Sequence, residues 1–320
     1  MTTTTTEQAP SGSPSKALLR RGDRIFSGTA LGAGTLILIT LAAVAVFLIV
    51  QAVPAFKPDT SDNHILEGES FLSWVWPFVF GTLWASAIAL VIAAPIALGI
   101  ALFISHYAPR RLASLLGYVI DLLAAVPSVV FGLWGALTFA PMLVPFYKWL
   151  NEYFGWIPLF SGTPSGTGKT ILTASLVLAV MILPIMTAIC REVFLQAPKL
   201  HEEAALALGA TRWEMIRMAV LPFARSGMVS AAMLGLGRAL GETMAVTLVL
   251  SPLGIVTFNL LNPENPTTIP AIIALRFPEA HDDGVSTLIA AGLILFIVTF
   301  AVNAVARWIV SRRAEFSGAN

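Results

Sequence analysis

Six apolar runs, at roughly 26–52, 78–105, 113–140, 171–190, 223–250 and 285–310, constrain this chain more than any other feature. Each is long enough to cross a hydrocarbon layer about 30 Å thick at a helical rise of about 1.5 Å per residue. Composition agrees. Hydrophobic residues make up 57% and charged residues 12%, the latter about half the usual share of a globular protein, and the mean hydropathy is +0.81. An ordinary soluble domain is excluded, and the expected fold is an all-α membrane protein with six transmembrane helices. One cysteine, Cys190, rules out an intramolecular disulfide and a cysteine-rich metal site.

Loops between successive spans alternate sides, so the basic residues can orient the chain. Lys57, Lys148, Lys169 and Arg276 fall on one side and Arg238 inside a span, while the other 14 of the 19 Lys and Arg residues fall on the side of the N-terminus. Excess Lys and Arg mark the cytoplasmic side, which predicts a multi-pass protein with both termini in the cytoplasm. Residues 1–24 read as a disordered cytoplasmic tail, rich in Thr, Ser and Pro up to Ser15. Residues 25–53 read as a peripheral first transmembrane helix. That run is too long for a signal-peptide core and lacks a small-residue cleavage site, so Arg20-Arg21 precedes a retained anchor rather than a twin-arginine leader. Residues 72–313 form the expected five-helix core. Segments 54–72 and 251–284 are acidic and expected outside.

The stretch from Ala197 to Pro222 lies on the cytoplasmic side and reads as two short helices. Pro198 suits a first helical turn and Gly209 a left-handed stop. Thr211 followed by Glu214 is a capping box, and Pro222 is placed to open the next span. Glu203-Ala204-Ala205, Gly209, and Leu221-Pro222 resemble the EAA loop of bacterial ABC-importer permeases, with Ala219 where that pattern usually has isoleucine. The resemblance implies a type I importer permease fold whose coupling helices, at 197–222, dock on a separate ATPase. Glu203, Ala204, Ala205 and Gly209 would shape the docking surface, and Leu221-Pro222 would fix the entry to the fifth span. An interfacial pair of amphipathic helices is the plainer alternative.

Gly235-Leu-Gly-Arg238-Ala-Leu-Gly-Glu242-Thr-Met-Ala-Val246 places an arginine and a glutamate four apart in the fifth run. At about 3.6 residues per turn, both are expected on one helix face. Either charge at a helix centre costs about 2.5–3.5 kcal/mol to insert, so neither should face lipid. Gly237 and Gly241, in GxxxG spacing, would let another helix approach closely. Two readings stay open and are compatible. The pair neutralises itself and locks two helices, or Arg238 offers its guanidinium to an oxyanion while Glu242 holds the arginine in place.

This string, with Asp121-Leu-Leu-Ala-Ala-Val-Pro-Ser-Val-Val-Phe-Gly132, is similar to the C-type permeases (PstC) of the bacterial phosphate-specific ABC transport system. The resemblance covers about residues 20–313. It implies phosphate passage at Arg238 and Glu242 and residence in the bacterial inner membrane. It also implies an A-type permease partner, two ATPase subunits and an extracytoplasmic phosphate-binding protein. Asp121 is left between a membrane-boundary position and a second charge facing the bundle.

Several patterns fail. Gly162 to Thr170 imitates a phosphate-cradling P-loop, but Thr163 stands where the first glycine is needed, so a flexible outward loop is expected. His201-Glu202 lacks the second histidine of a zinc helix, because Ala205 occupies that position. No cofactor, metal or nucleic-acid partner is expected, and no catalysis by this chain. A proton-coupled secondary anion transporter and a membrane scaffold or signalling subunit are the rival readings.

Overall fold

The computed structural model describes residues 21–56 and 63–314. The expected tail up to residue 20 lies outside the described residues. Helix α1 spans Arg21–Ala52, so it starts ahead of the sequence boundary at residue 25. The described residues up to Phe47 belong to a unit of their own, apolar in composition. Everything described below belongs to the second unit, from Leu48 onward.

Helix α2 covers Phe71–Leu102 and closes in a π turn at Phe103–Tyr107; the short helix α3 is Arg110–Ala124. Helices α4 (Ser128–Trp134) and α5 (Ala140–Phe154) join through a π turn at Gly135–Phe139 into one span. Helix α6 runs Ile171–Leu195 and α7 Lys199–Ala207. Helices α8 (Arg212–Met215) and α9 (Leu221–Leu240) follow, then α10 (Met244–Val249), α11 (Ile269–Arg276) and α12 (Asp283–Ala314). Among the described residues there is no strand, only an isolated bridge between Leu253 and Pro266. Among the described residues, six helical stretches are long and apolar enough to cross a membrane.

Two span boundaries differ from the sequence reading. The third span is Ser128–Phe154, not 113–140. Pro127 cuts the apolar run, because a residue before proline is pushed out of helical geometry; Pro127 itself is extended, at φ −59° and ψ 138°. Upstream of it, α3 is a separate amphipathic helix, and Asp121 is exposed on it rather than turned into the bundle. The fifth span is Arg212–Leu240, not 223–250. The helix stops at Gly241, and α10 is a short separate piece.

The core is organised around α6. Ala85, Ala89, Ala93 and Ala97 recur every four residues along one face of α2 and are fully buried against Ile171, Ala174, Leu178 and Ile182 of α6. Small side chains at that spacing bring two helix backbones together, the main source of helix association where no water is displaced. Gly135 and Gly235 extend the principle, since added Cβ atoms would stand 2.6 Å from Val177 and 2.9 Å from Met186 of α6.

The expected flexible outward loop is pinned at several points. Ser165 N–H donates to the Leu261 carbonyl at 2.8 Å, and Leu260 N–H to that of Leu159 at 2.8 Å. Gly168 has φ +73° and passes so close to the Ala140 carbonyl that any Cβ would collide. Thr170, the last residue of the false P-loop, caps α6, accepting from Thr173 N–H at 3.2 Å. The segment after α10 likewise folds back on the bundle, where Ile269 N–H donates to Thr82 Oγ1 at 2.9 Å.

Candidate functional site

The elbow between α6 and α9 is built as its residue types dictate. Gly209, at φ +86°, ends α7. Ala210 N–H donates to the Ala205 carbonyl at 3.2 Å and Gly209 N–H to that of Leu206 at 3.0 Å. This paired closure needs the left-handed conformation that glycine adopts without strain. Ala205 is therefore the acceptor that closes the turn. Thr211 N–H donates to Glu214 Oε2 at 2.8 Å, and Glu214 N–H to Thr211 Oγ1 at 3.4 Å, which completes the capping box.

Beyond the cap the elbow departs from expectation. Arg212 to Leu240 is one continuous helical run, with a π turn at Ile216–Val220, so Pro222 does not open the span. Pro222 has no N–H to return to the preceding turn, and the widened turn just before it absorbs that loss. Met215, Ile216 and Val220 are buried with Phe194 and Ala197 and anchor the elbow, with Leu221 packed against them.

The other face of the elbow is apolar and uncovered. Leu208 is 90% exposed, and Leu200, Leu206, Trp213, Met218 and Phe223 are exposed with it. A cleft of about 930 Å³ opens here, lined by Ala204, Ala205, Gly209 and Pro222 among others. Ala219 also lines it, so the missing isoleucine bulk leaves the cleft deeper. Glu203 is exposed beside it. His106, at the end of α2, reaches Glu202 on α7 at 3.7 Å. Nothing in the sequence marked His106.

The charged pair is rearranged. Because α9 ends at Leu240, Arg238 and Glu242 are not on one helix face, and among the described residues no carboxylate pairs with the arginine. Glu242 is buried, and its Oε1 accepts from Ala245 N–H at 3.1 Å, capping α10. A carboxylate at a helix N-terminus meets unpaired N–H groups and the positive end of the dipole. The chain leaves α9 at Gly241, which brings Glu242 to the start of α10. Gly132 completes the seat of α10, since a Cβ there would stand 2.7 Å from the Ala245 Cα.

Arg238 lies exposed and lines a groove of about 810 Å³ between α9 and α12. Ser230 and Gly237 line it from α9, and Asn303 and Arg307 from α12. Within the described residues nothing approaches within 4 Å of a Cβ placed on Gly237, and Gly241 meets only its own preceding turn. The GxxxG face is thus uncovered by the described residues of the second unit. Sequence reasoning assigned Arg307 to the basic side and missed it as a wall of this groove. The one trace was Asn303 and Arg307, four apart on an apolar helix.

Known proteins give this geometry a context. A family model described as "Binding-protein-dependent transport system inner membrane component" matches residues 95–315. The "Phosphate transport system permease protein PstC 2" of Mycobacterium tuberculosis is 47% identical over 311 residues, covering 92% of this chain and 94% of that one. The "Phosphate transport system permease protein PstC" of Mesorhizobium japonicum is 39% identical over 308 residues, covering 93% and 92%. In structure, a chain of a bacterial ABC transporter that imports the polysaccharide alginate superposes with a TM-score of 0.60 at 17% identity, covering 91% of this chain and 96% of that one. The fold is therefore that of the type I ABC-importer permeases, as expected from the sequence. This multi-pass protein of the bacterial inner membrane belongs to the binding-protein-dependent transport system inner membrane components, among the PstC-type permeases.

Proposed function

We propose that the chain is the membrane-spanning permease subunit of an ATP-driven importer of inorganic phosphate. Its task is to form half of the translocation pathway and to pass the motion of a separate ATPase into it. The observation that carries the reading is Arg238, an exposed guanidinium with no carboxylate partner among the described residues, on a membrane-spanning helix. A charge there is costly against lipid, so it needs either an anion or a second protein beside it. The names of the relatives supply both, a phosphate transport system and a permease component within it.

In this reading the bare apolar face of the elbow is the seat of a cytoplasmic ATPase, with Glu203, Ala204, Ala205 and Gly209 at the contact. Leu221 and Pro222 tie that contact to the fifth span. Both termini then lie in the cytoplasm. The uncovered Gly237–Gly241 face meets an A-type permease partner, and the loops at the far end meet an extracytoplasmic phosphate-binding protein. Glu242 is engaged as the cap of α10, which argues against its use as the relay of a proton-driven carrier.

The test is reconstitution of the chain with its partner permease, ATPase and binding protein in proteoliposomes. Phosphate import is expected to require ATP hydrolysis, to exceed sulfate import and to collapse in Arg238→Gln. Uptake without the ATPase, or uptake abolished by an uncoupler at constant ATP, would refute the reading.

A further inference from the structure

The groove below Arg238 holds more chemistry than one arginine. Helix α9 runs away from the elbow and presents Val229, Ser230, Met233, Leu234, Gly237 and Arg238 as one stripe. From Ser230 to Arg238 that stripe covers about 12 Å at the helical rise. The opposing wall is α12, which returns toward the elbow and contributes Asn303, Ala306 and Arg307. This opposite course puts Arg307 on the elbow side of Asn303. No carboxylate lines the groove, and neither Arg238 nor Arg307 has an acidic partner among the described residues.

We infer that Arg307, with Asn303 and Ser230, forms a second oxyanion subsite that takes the phosphate as it leaves Arg238. The inference rests on the importer reading and adds residues that the fifth-span motif does not contain. A groove walled by two guanidiniums and free of acids concentrates anions. A guanidinium matches the edge of a phosphate with two parallel N–H donors, and the amide of Asn303 can serve a remaining oxygen, as can the Ser230 hydroxyl once it turns from the Ser226 carbonyl to which it donates at 2.9 Å. Passage requires sites that are each weak enough to leave, and two modest sites in sequence meet that need where a single tight one would trap the ion. The phosphate of an anionic lipid headgroup has the same chemistry, so the source has to be separated by experiment.

The complete transporter would be placed in liposomes of phosphatidylcholine alone and of phosphatidylcholine with phosphatidylglycerol. Phosphate import and ATP hydrolysis would be measured for wild type, Arg307→Gln, Arg307→Lys and Asn303→Leu. Arg307→Gln should import about tenfold more slowly in both membranes, the weight of one charge-assisted contact. ATP hydrolysis stimulated by the loaded binding protein should stay near wild type, because the elbow is untouched. Arg307→Lys should keep much of the rate, and Asn303→Leu should lose several-fold. Wild-type import by Arg307→Gln overturns the inference. So does a loss confined to the anionic membranes, which assigns Arg307 to a headgroup. Should Arg307→Gln fail to assemble, full-rate import by Asn303→Leu overturns it instead. A wild-type complex that moves no phosphate sinks the importer reading itself, and is distinct from all of these.

Discussion

His106 and Glu202 meet where the end of α2 touches α7, with Nε2 and Oε1 3.7 Å apart. The contact ties the helix that runs beside α6 to the helix that carries the EAA residues. His106 Nδ1 is held in turn by the Ser105 hydroxyl at 2.7 Å, so the ring is fixed from both sides. Partly exposed pairs of this kind contribute about 1 kcal/mol or less. We expect His106→Ala to leave the fold intact and to lower phosphate imported per ATP hydrolysed, by up to about fivefold. A double-mutant cycle with Glu202→Gln should show the two effects to be non-additive.

Gly209 offers a sharper test of the elbow. A β-branched side chain at φ +86° is strained by roughly 1–2 kcal/mol, while open space around the Cβ position rules out a clash as the cause. Gly209→Val should therefore misdirect α7 and weaken co-purification of the ATPase without lowering the amount of permease in the membrane. Gly209→Asn, which tolerates left-handed geometry better, should recover most of the loss.

The alanine face of α2 predicts a stability effect. Ala89 is fully buried in the cluster shared with α6. Ala89→Leu forces the helices apart and should destabilise by about 1–3 kcal/mol. The measurement is a lower thermal unfolding midpoint in detergent, while Ala89→Gly or Ala89→Ser should shift it far less.

Arg238 and Glu242 should part company under substitution. On the proposed role of Arg238 as an anion contact, Arg238→Gln should lower import about 10- to 100-fold and leave permease abundance unchanged. Glu242→Ala removes the buried cap of α10, for which about 1 kcal/mol is typical. It should lower thermal stability as well as import. Equal stability losses in both variants would contradict the separate roles.

Orientation can be checked with the existing thiol left in place. Cys190 is fully buried, so a membrane-impermeant maleimide should not react with the parent chain. Leu208→Cys on the elbow should label only from the cytoplasmic side, and Lys169→Cys only from outside.

Much of this was legible beforehand because it depends on local rules. Gly209 as a left-handed stop and Thr211 with Glu214 as a cap follow from neighbours in sequence, and both hold in the structure. The third span was misjudged because apolarity continues through Pro127, although the backbone does not. The Arg238–Glu242 geometry was misjudged for the complementary reason. Spacing of four implies a shared face only if the helix persists, and Gly241 ends it. His106, Arg307 and the alanine face depend on which helices become neighbours, and no local pattern states that.

The bare strip around Gly237 and Arg238 makes this chain an unfinished object on its own. A solitary copy would turn a guanidinium toward acyl chains, a debt that only assembly removes. The cell thus has a built-in mark of the orphan, and copies made in excess of their counterpart should be the first to be cleared by membrane quality control.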